Sequence, residues 1–472
     1  MSKAAFKGIL GTVVVAGGLA LAALAPRAAQ AENIVDALIG AYNNSGLLEQ
    51  NRALLRAADE DVATAVAQLR PVISWTAEAT RTLISGTSNG VAFNTPSSDL
   101  YTGLTFSQIL YDGGQRTLSK QAAQETVLAT RQQLLNIEQQ ILFRAASAYL
   151  NVVLQSENVR LRQNNVRLLG EELRAAQDRF DVGEVTRTDV ALAQAQLAAA
   201  RSGLSSARGA LINAQAEYAT AVGRKPGTLA GQPRLPRAAA SQDSATAIAV
   251  RNHPSILTAQ HQVKATELVA RSTAKTMGPS ASLSGNFGLS DDVVSPDRYT
   301  SGSISLTVTQ PIYQGGALAS QYRRTLANRD SAKSGLLIAQ ENVVQGVANA
   351  FTRLETARAS LISSAEQVRA ARVAFEGVRE EAKLGARTTL DVLSAEQDLL
   401  DAQTNQISAR AEQAVATYQL LQAQGLLTAE RLGLAVQIYD PTLYYNLVKT
   451  APSKLSKRSK DLDRVLKALG KN

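Results

Sequence analysis

The sequence predicts a mainly α-helical protein, internally duplicated, that carries a pair of membrane β-hairpins. Three observations predict it. The first is one very long helix, residues 113–181: between Gly113-Gly114 and Gly183 there is no proline and only Gly170. Val127-Leu128, Leu134-Leu135 and Ile141-Leu142, then Ala148-Tyr149, recur every seven residues, so the helix carries adjacent apolar seams and needs neighbours on more than one side. At 1.5 Å per residue, about 70 residues extend roughly 105 Å, far more than a bilayer's thickness.

The second observation is that this stretch occurs twice. A shift of 202 residues carries Gln108, Tyr111, Gly113 and Gly114 onto Gln310, Tyr313, Gly315 and Gly316. The same shift carries Val166, Gly183, Thr186, Asp189, Val190 and Gly223 onto Val368, Gly385, Thr388, Asp391, Val392 and Gly425. A constant offset landing on glycines, Tyr and Asp signals internal duplication.

The third is alternation. Ile73, Trp75, Ala77 and Ala79 share one face against Ser74, Thr76, Glu78 and Thr80; Leu104 and Phe106 oppose Thr105 and Ser107. In the second copy Ala281, Leu283, Phe287 and Leu289 alternate with Ser280, Ser282, Ser284 and Asn286, and Ile304, Leu306 and Val308 with Ser303, Ser305, Thr307 and Thr309. Strands of about ten residues with one apolar and one Ser/Thr-rich face fit a transmembrane β-barrel, although a hairpin on a soluble core reads similarly. Residues 71–112 and 279–313 are about a sixth of the chain yet hold eight of its 21 aromatics, which favours the barrel. Trp75, Tyr101, Phe106, Phe287 and Tyr299 are the expected aromatic girdle. Four strands cannot close a barrel and open edges are not viable in lipid, so several chains must share one; three would supply twelve strands.

In chain order, residues 1–31 have a basic start, an apolar run from Gly8 to Ala25 and Ala29-Gln30-Ala31, a small-x-small cleavage pattern, and read as a signal peptide. With no cysteine there is neither a disulfide nor a lipidated N-terminal cysteine. The first repeat, 32–223, comprises a helix over 33–70 ended by Pro71, a hairpin over 71–110 with a long loop at 86–99, the long helix 113–181, and a return helix 186–223. A proline-bearing connection, 224–244, leads to the second repeat, 245–427: a helix, a hairpin at 279–312, a long helix 315–384 and a return helix 388–425. Two half-length helices stacked end to end can lie beside each full-length one, so three chains would continue the barrel as a helical tube. Residues 428–472 form a basic C-terminal tail outside the repeat, in which Pro441 and Pro452 break helices and the Lys-rich end is expected to be solvated and partly disordered.

Charge follows this layout. Of the net +9, +3 precedes residue 32 and +6 follows Thr442, leaving residues 32–441 neutral. No basic face for nucleic acid is expected. Aromatics are only 4% of the chain, and alanine runs such as 191–200 suit a wall of closely packed helices whose remaining apolar surface meets other subunits.

This plan resembles the TolC family of outer-membrane channel-tunnels. The resemblance rests on Gln108-Ile109-Leu110-Tyr111-Asp112-Gly113-Gly114 with its copy Gln310-Pro311-Ile312-Tyr313-Gln314-Gly315-Gly316, and on Val182-Gly183-Glu184-Val185-Thr186-Arg187-Thr188-Asp189-Val190 with its copy at 384–393. It covers roughly residues 34–430. It implies a homotrimer in outer-membrane lipid whose tunnel crosses the periplasm to meet a periplasmic adaptor (membrane fusion protein) and an inner-membrane ABC or RND-type transporter, serving type I secretion, drug efflux or both. Gly113, Gly114, Gly315 and Gly316 would be strand-helix junctions. Gly183, Glu184, Val185, Thr186, Gly385, Ala386 and Thr388 would form the periplasmic tip that contacts the adaptor. Arg387 would reach Thr188 and Asp189 of a neighbouring chain as a gating latch, and Asp391 would contribute to an acidic ring at the tunnel entrance. The sequence departs from the pattern at Ala382, where relatives can carry a latch tyrosine, and at Ser394, where a second acidic ring can occur.

No enzyme is expected. His253 and His261 are the only histidines, and no phosphate loop, nucleophile elbow, metal set or cofactor motif accompanies them. A periplasmic coiled-coil adaptor or scaffold remains the alternative reading, since it shares long helices and an export signal but not four amphipathic strands.

Overall fold

The computed structural model describes residues 31–292, 298–454 and 456–468. The signal-peptide reading, apart from Ala31, lies outside the described residues. The duplication is visible in the element lengths. Before the hairpins the copies run at an offset of 208 residues: α1 (Ile34–Asn44) and α5 (Gln242–Asn252) have 11 residues each, α2 (Gly46–Ala67) and α6 (Pro254–Lys275) have 22 each. After the hairpins the offset is 202: α3 (Gln115–Asp181) and α7 (Ala317–Lys383) have 67 residues each, α4 (Arg187–Val222) has 36 and α8 (Thr389–Ala423) has 35. The change of offset reflects the longer first hairpin.

Two expected helices are each broken once, at equivalent places. Ser45 leaves the helical conformation and its hydroxyl accepts from Leu48 N (3.3 Å), which starts α2 afresh. In the second copy Pro254 cannot donate to the preceding turn, and the His253 ring accepts from Ser255 N (3.2 Å). Periodicity continues across both breaks, which is why the sequence reads as unbroken.

The strands form one antiparallel sheet in the order β1-β2-β3-β4, from β1 (Val72–Ser88), β2 (Val91–Tyr111), β3 (Ser280–Asp292) and β4 (Arg298–Thr309). The expected long loop at 86–99 is instead strand, closed by a two-residue turn in which Asn89 and Gly90 both have positive φ. Asn-Gly is the usual type I′ hairpin pair, and it outweighs the Gly/Ser/Pro content around it. The hairpin therefore runs past the last β2-β3 pair, Asp99 with Asp292.

The register divides the expected girdle. Trp75 pairs with Leu104 and Leu104 with Phe287, so these share the apolar face with Phe106. Tyr101 and Tyr299 both pair with Ser290 and lie on the opposite, Ser/Thr-rich face. There the Tyr101 ring covers Gly103 and Gly288, whose hydrogens leave the only room for it. The composition counted aromatics without resolving their parity, so Tyr101 and Tyr299 leave the girdle.

By contacts the chain forms two units, each drawn from both sequence copies. One contains the described part of Met1–Asn44 with Arg144–Pro236 and Arg358–Val415. In it Glu32 ties down the connection between repeats: Glu32 N donates to Thr228 O (2.8 Å) and Ala230 N to Glu32 O (2.9 Å). The Glu32 carboxylate accepts from Tyr218 Oη and Arg224 Nη2 (2.6 Å each) and Gly227 N (3.2 Å). Burial alone would raise its pKa, but these hydrogen bonds hold it below the usual carboxylate value.

The other unit contains Ser45–Phe143, Arg237–Ala357 and the described part of Ala416–Asn472. Here the segment that follows the second repeat packs back on the helices. Leu427, Ala429 and Leu434 are buried, and α9 (Pro441–Val448) docks on α2 through Tyr444 and Val448 beside Ala63. Tyr444 Oη donates to Glu60 (2.8 Å), Ala429 N donates to buried Glu138 (2.7 Å), and the Arg131 guanidinium stacks 5.1 Å from the Tyr445 ring centre. Lysine content signalled solvation, whereas Tyr444 and Val448, one turn apart, make an apolar face that the charge count hides. Replacing Tyr444 by Ala should cost about 3 kcal/mol of local docking; trypsin cleavage at Lys449 should accelerate at least about tenfold while β1–β4 stay resistant.

Candidate functional site

The expected tip residues lie in the two turns that join long to returning helices, and these turns are built alike. In the first, Gly183 N donates to Phe180 O (3.0 Å) and Glu184 N to Arg179 O (2.9 Å). In the second, Gly385 N donates to Ala382 O (3.1 Å) and Ala386 N to Glu381 O (2.9 Å). Both glycines take the left-handed conformation of a Schellman cap, φ 80° and 76°. Three residues on, Thr186 and Thr388 cap the returning helices.

Each cap is reciprocal. Asp189 Oδ2 accepts from Thr186 N (2.9 Å) and Thr186 Oγ1 (2.7 Å), while Asp189 N donates to Thr186 Oγ1 (3.3 Å). Asp391 Oδ2 accepts from Thr388 N (3.0 Å) and Oγ1 (2.9 Å), and Asp391 N donates to Thr388 Oγ1 (3.2 Å). The Thr186 hydroxyl and amide lower the Asp189 pKa, and the Thr388 amide and hydroxyl lower that of Asp391. Both carboxylates are charged at neutral pH, and each already has a partner within its own turn.

The turns place their arginine differently: Arg387 stands where the first turn has Val185, and Arg187 where the second has Thr389. Arg387 is half exposed and its Nε donates to Glu381 Oε2 (2.8 Å), six residues back across the turn. Within this chain its guanidinium is bonded to Glu381 and not to Thr188 or Asp189. Glu381 was not singled out from sequence, because partners across a Schellman turn do not follow helical spacing. Glu184, Thr186, Ala386 and Thr388 are exposed, Val185 partly so. Ala382 is buried with Phe375 and Val392, so its small side chain serves packing within the chain.

At the other ends of the long helices, strand becomes helix through paired glycines with positive φ: Gly113 63°, Gly114 86°, Gly315 61° and Gly316 83°. The preceding glutamine staples each junction: Gln108 Nε2 donates to Leu69 O (3.3 Å) and Gln310 Nε2 to Met277 O (3.1 Å). In the first copy Arg116 adds an ion pair to Asp112 (2.6 Å) and hydrogen bonds to Gln68 O and Ile109 O.

This architecture has close counterparts. The sequence pattern of the family described as Outer membrane efflux protein matches residues 40–224 and 229–426. The chain belongs to that family. This efflux protein is 35% identical over 455 residues to the Outer membrane efflux protein BepC of Brucella suis biovar 1 (strain 1330), covering 95% of this chain and 97% of the relative. It is 25% identical over 427 residues to the Outer membrane protein TolC of Salmonella enteritidis, covering 85% and 84%. The crystal structure of the Campylobacter jejuni CmeC outer membrane channel superimposes with a TM-score of 0.73 at 16% identity, covering 89% of each chain. The efflux protein is thus an outer-membrane channel with the TolC-like fold, and the soluble-scaffold alternative is set aside.

The sequence reading missed a polar layer behind the tip of the efflux protein. Glu396 on α8 is 3% exposed; its Oε1 accepts from Asn165 Nδ2 of α3 (3.0 Å), and Oε2 has no hydrogen-bond partner. Nearby, Glu172 of α3 pairs with Arg379 of α7 (3.1 Å). A carboxylate between Val392-Leu393 and Leu399-Leu400, on an otherwise apolar seam, was the available signal. Burial, reinforced by Glu172, raises the Glu396 pKa from 4.5 to about 7. The two histidines are structural: His253 caps α6, and His261 bonds Glu125 (2.7 Å).

The pH dependence follows from Glu396. Because its pKa is higher folded than unfolded, charging it costs nothing below about pH 4.5, and the cost grows to its full value above about pH 7. Glu396→Gln should stabilise the α3-α8 contact by about 2–3 kcal/mol at pH 8 and be near neutral at pH 5. Hydrogen exchange along α8, corrected for intrinsic rates, measures this; equal protection in both proteins at pH 8 would refute it.

Proposed function

We propose that three copies of this chain assemble into one conduit, each supplying its four strands to a shared twelve-stranded barrel, with the helices continuing the passage on the periplasmic side. The observation that carries this is the open sheet: β1 and β4 each have a neighbour on one side only, and a membrane offers an unpaired edge no water. Apolar exposure supports it, with Trp75 71%, Ile304 85% and Val308 68% exposed on the sheet and Ile212 65% and Ile362 68% exposed on the helices. Exported molecules enter from an inner-membrane transporter of ABC or RND type through a periplasmic adaptor that meets Gly183–Thr186 and Gly385–Thr388. Energy and cargo choice belong to that transporter, and the channel itself carries out no catalysis. Residues 1–31 direct export and are removed.

The tip acts as the gate. In the closed assembly Arg387 exchanges its exposed Glu381 partner for Thr188 and Asp189 of a neighbour, while the three Asp391 carboxylates form a cation-attracting ring. Asp391 suits this role because only Oδ2 serves the Thr388 cap, which fixes the carboxylate in the turn.

Bilayer conductance of the purified full-length chain, with its mass in detergent, tests the assembly. The expected result is discrete, cation-preferring conductance from a trimer; a monomer that never inserts would overturn it. Arg387→Ala should raise conductance several-fold by releasing the closed tip, and unchanged conductance would remove Arg387 from the gate. Asp391→Asn keeps an acceptor for Thr388 but removes the charge, so the reversal potential in a salt gradient should move toward zero. An unmoved potential would remove the ring.

A further inference from the structure

The basic C-terminal segment has no part in the conduit, and its placement gives it one. The last helix, α10 (Lys457–Ala468), is amphipathic: Leu462 and Leu466 turn in against the cluster of Ala63, Tyr444 and Val448, while Lys457, Lys460, Arg464 and Lys467 are exposed. This end of the chain carries +6 from Thr442 onward, whereas residues 32–441 are neutral. Its only acids are Asp461 and Asp463, and Asp461 is taken by Arg464 at 3.1 Å.

The helix is tied to the point where the chain passes into the membrane. Arg70 stands two residues before β1, and its guanidinium donates to Ala451 O (2.7 Å) and to Thr450 O. Arg458, in the first turn of α10, donates to Thr450 Oγ1 (2.6 Å). One residue, Thr450, therefore links the start of the first membrane strand to the start of α10. The apolar face of α10 packs on the cluster that joins Tyr444 and Val448 of α9 to Ala63 of α2, the helix that leads into that strand. The first turn of α10 is thus tied to a residue two positions before β1, at the helical end of the barrel. Basic side chains there attract anionic headgroups, and their aliphatic stems reach toward the interface.

We propose that α10 is a lipid-binding foot whose exposed lysines and arginine hold anionic phospholipid headgroups of the leaflet on the helical side of the barrel. Lipid held there steadies the junction through the Arg70-Thr450-Arg458 link. A soluble helix of this composition would need no anchoring at a strand start, and an anionic polymer of the cell wall would not require placement at the membrane plane.

The test uses the full-length assembled protein in detergent, equilibrated with phosphatidylethanolamine and phosphatidylglycerol, with retained lipid counted by native mass spectrometry. The wild-type protein should retain phosphatidylglycerol over phosphatidylethanolamine by about tenfold, a preference that shrinks in high salt. Changing Lys457, Lys460, Arg464 and Lys467 together to Gln should abolish the preference without altering conductance. Asp463→Lys, which leaves the packed face untouched, should increase it and guards against a misfolded quadruple variant. An unchanged lipid ratio in both variants would overturn the proposal. Loss of binding to isolated peptidoglycan sacculi by the quadruple variant, with its lipid ratio intact, would overturn it in favour of the cell-wall polymer.

Discussion

A peptide group in lipid must find its hydrogen-bond partner within protein, and the rest of this structure depends on that constraint. The sheet meets it in its interior, where β2 and β3 have neighbours on both sides, and among the described residues leaves it unmet along one side of β1 and one side of β4. A chain with such edges is a part of something. The same incompleteness explains why large apolar side chains such as Trp75 and Ile304 lie exposed, and why alanine lines the helices: their partners are lipid and further copies, so no thick core is needed within one chain.

The second constraint is the change of secondary structure at the membrane boundary, where strand hydrogen bonds run sideways and helix bonds run along the chain. The protein solves it twice with the same parts. A glutamine bridges to the end of the preceding helix, two glycines turn the chain with positive φ, and the helix begins within a residue or two. The Asp112-Arg116 pair and its ties to Gln68 and Ile109 exist only in the first copy, since Gln314 and Leu318 take those places. Duplication preserved what the geometry demands and left the reinforcement free to diverge.

This division also explains what could be read from the sequence. Repeating features were legible: the long helices, glycine turns and threonine caps are local, and each appeared twice at the offset of 202. Parity within strands was half legible, since alternation identified two faces but counting aromatics did not assign Tyr101 and Tyr299 to the Ser/Thr-rich one. What stayed hidden depends on tertiary proximity or on a signal overshadowed by its surroundings. Asn89-Gly90 was masked by neighbouring turn formers, Tyr444 and Val448 by lysines, and Glu396 by the polar composition of α8. Glu381 meets Arg387 only because a Schellman turn reverses the chain between them.

The proposed gate at the tip could move without unfolding the helices that carry it. Asp189 and Asp391 each spend one carboxylate oxygen on their own cap, so a contact made across a chain boundary can form or break while both helix starts remain intact. The caps also hold both aspartates below the ordinary carboxylate range, so the charges at the tip do not vary over physiological pH. Deeper in the coil, burial between Asn165 and the Glu172-Arg379 pair raises the Glu396 pKa to about 7, so its charge does vary there. Surface charge that is fixed and buried charge that is variable do different work. In the proposed gate the first would set which neighbour the tip prefers, and the second how firmly the helices behind it hold together.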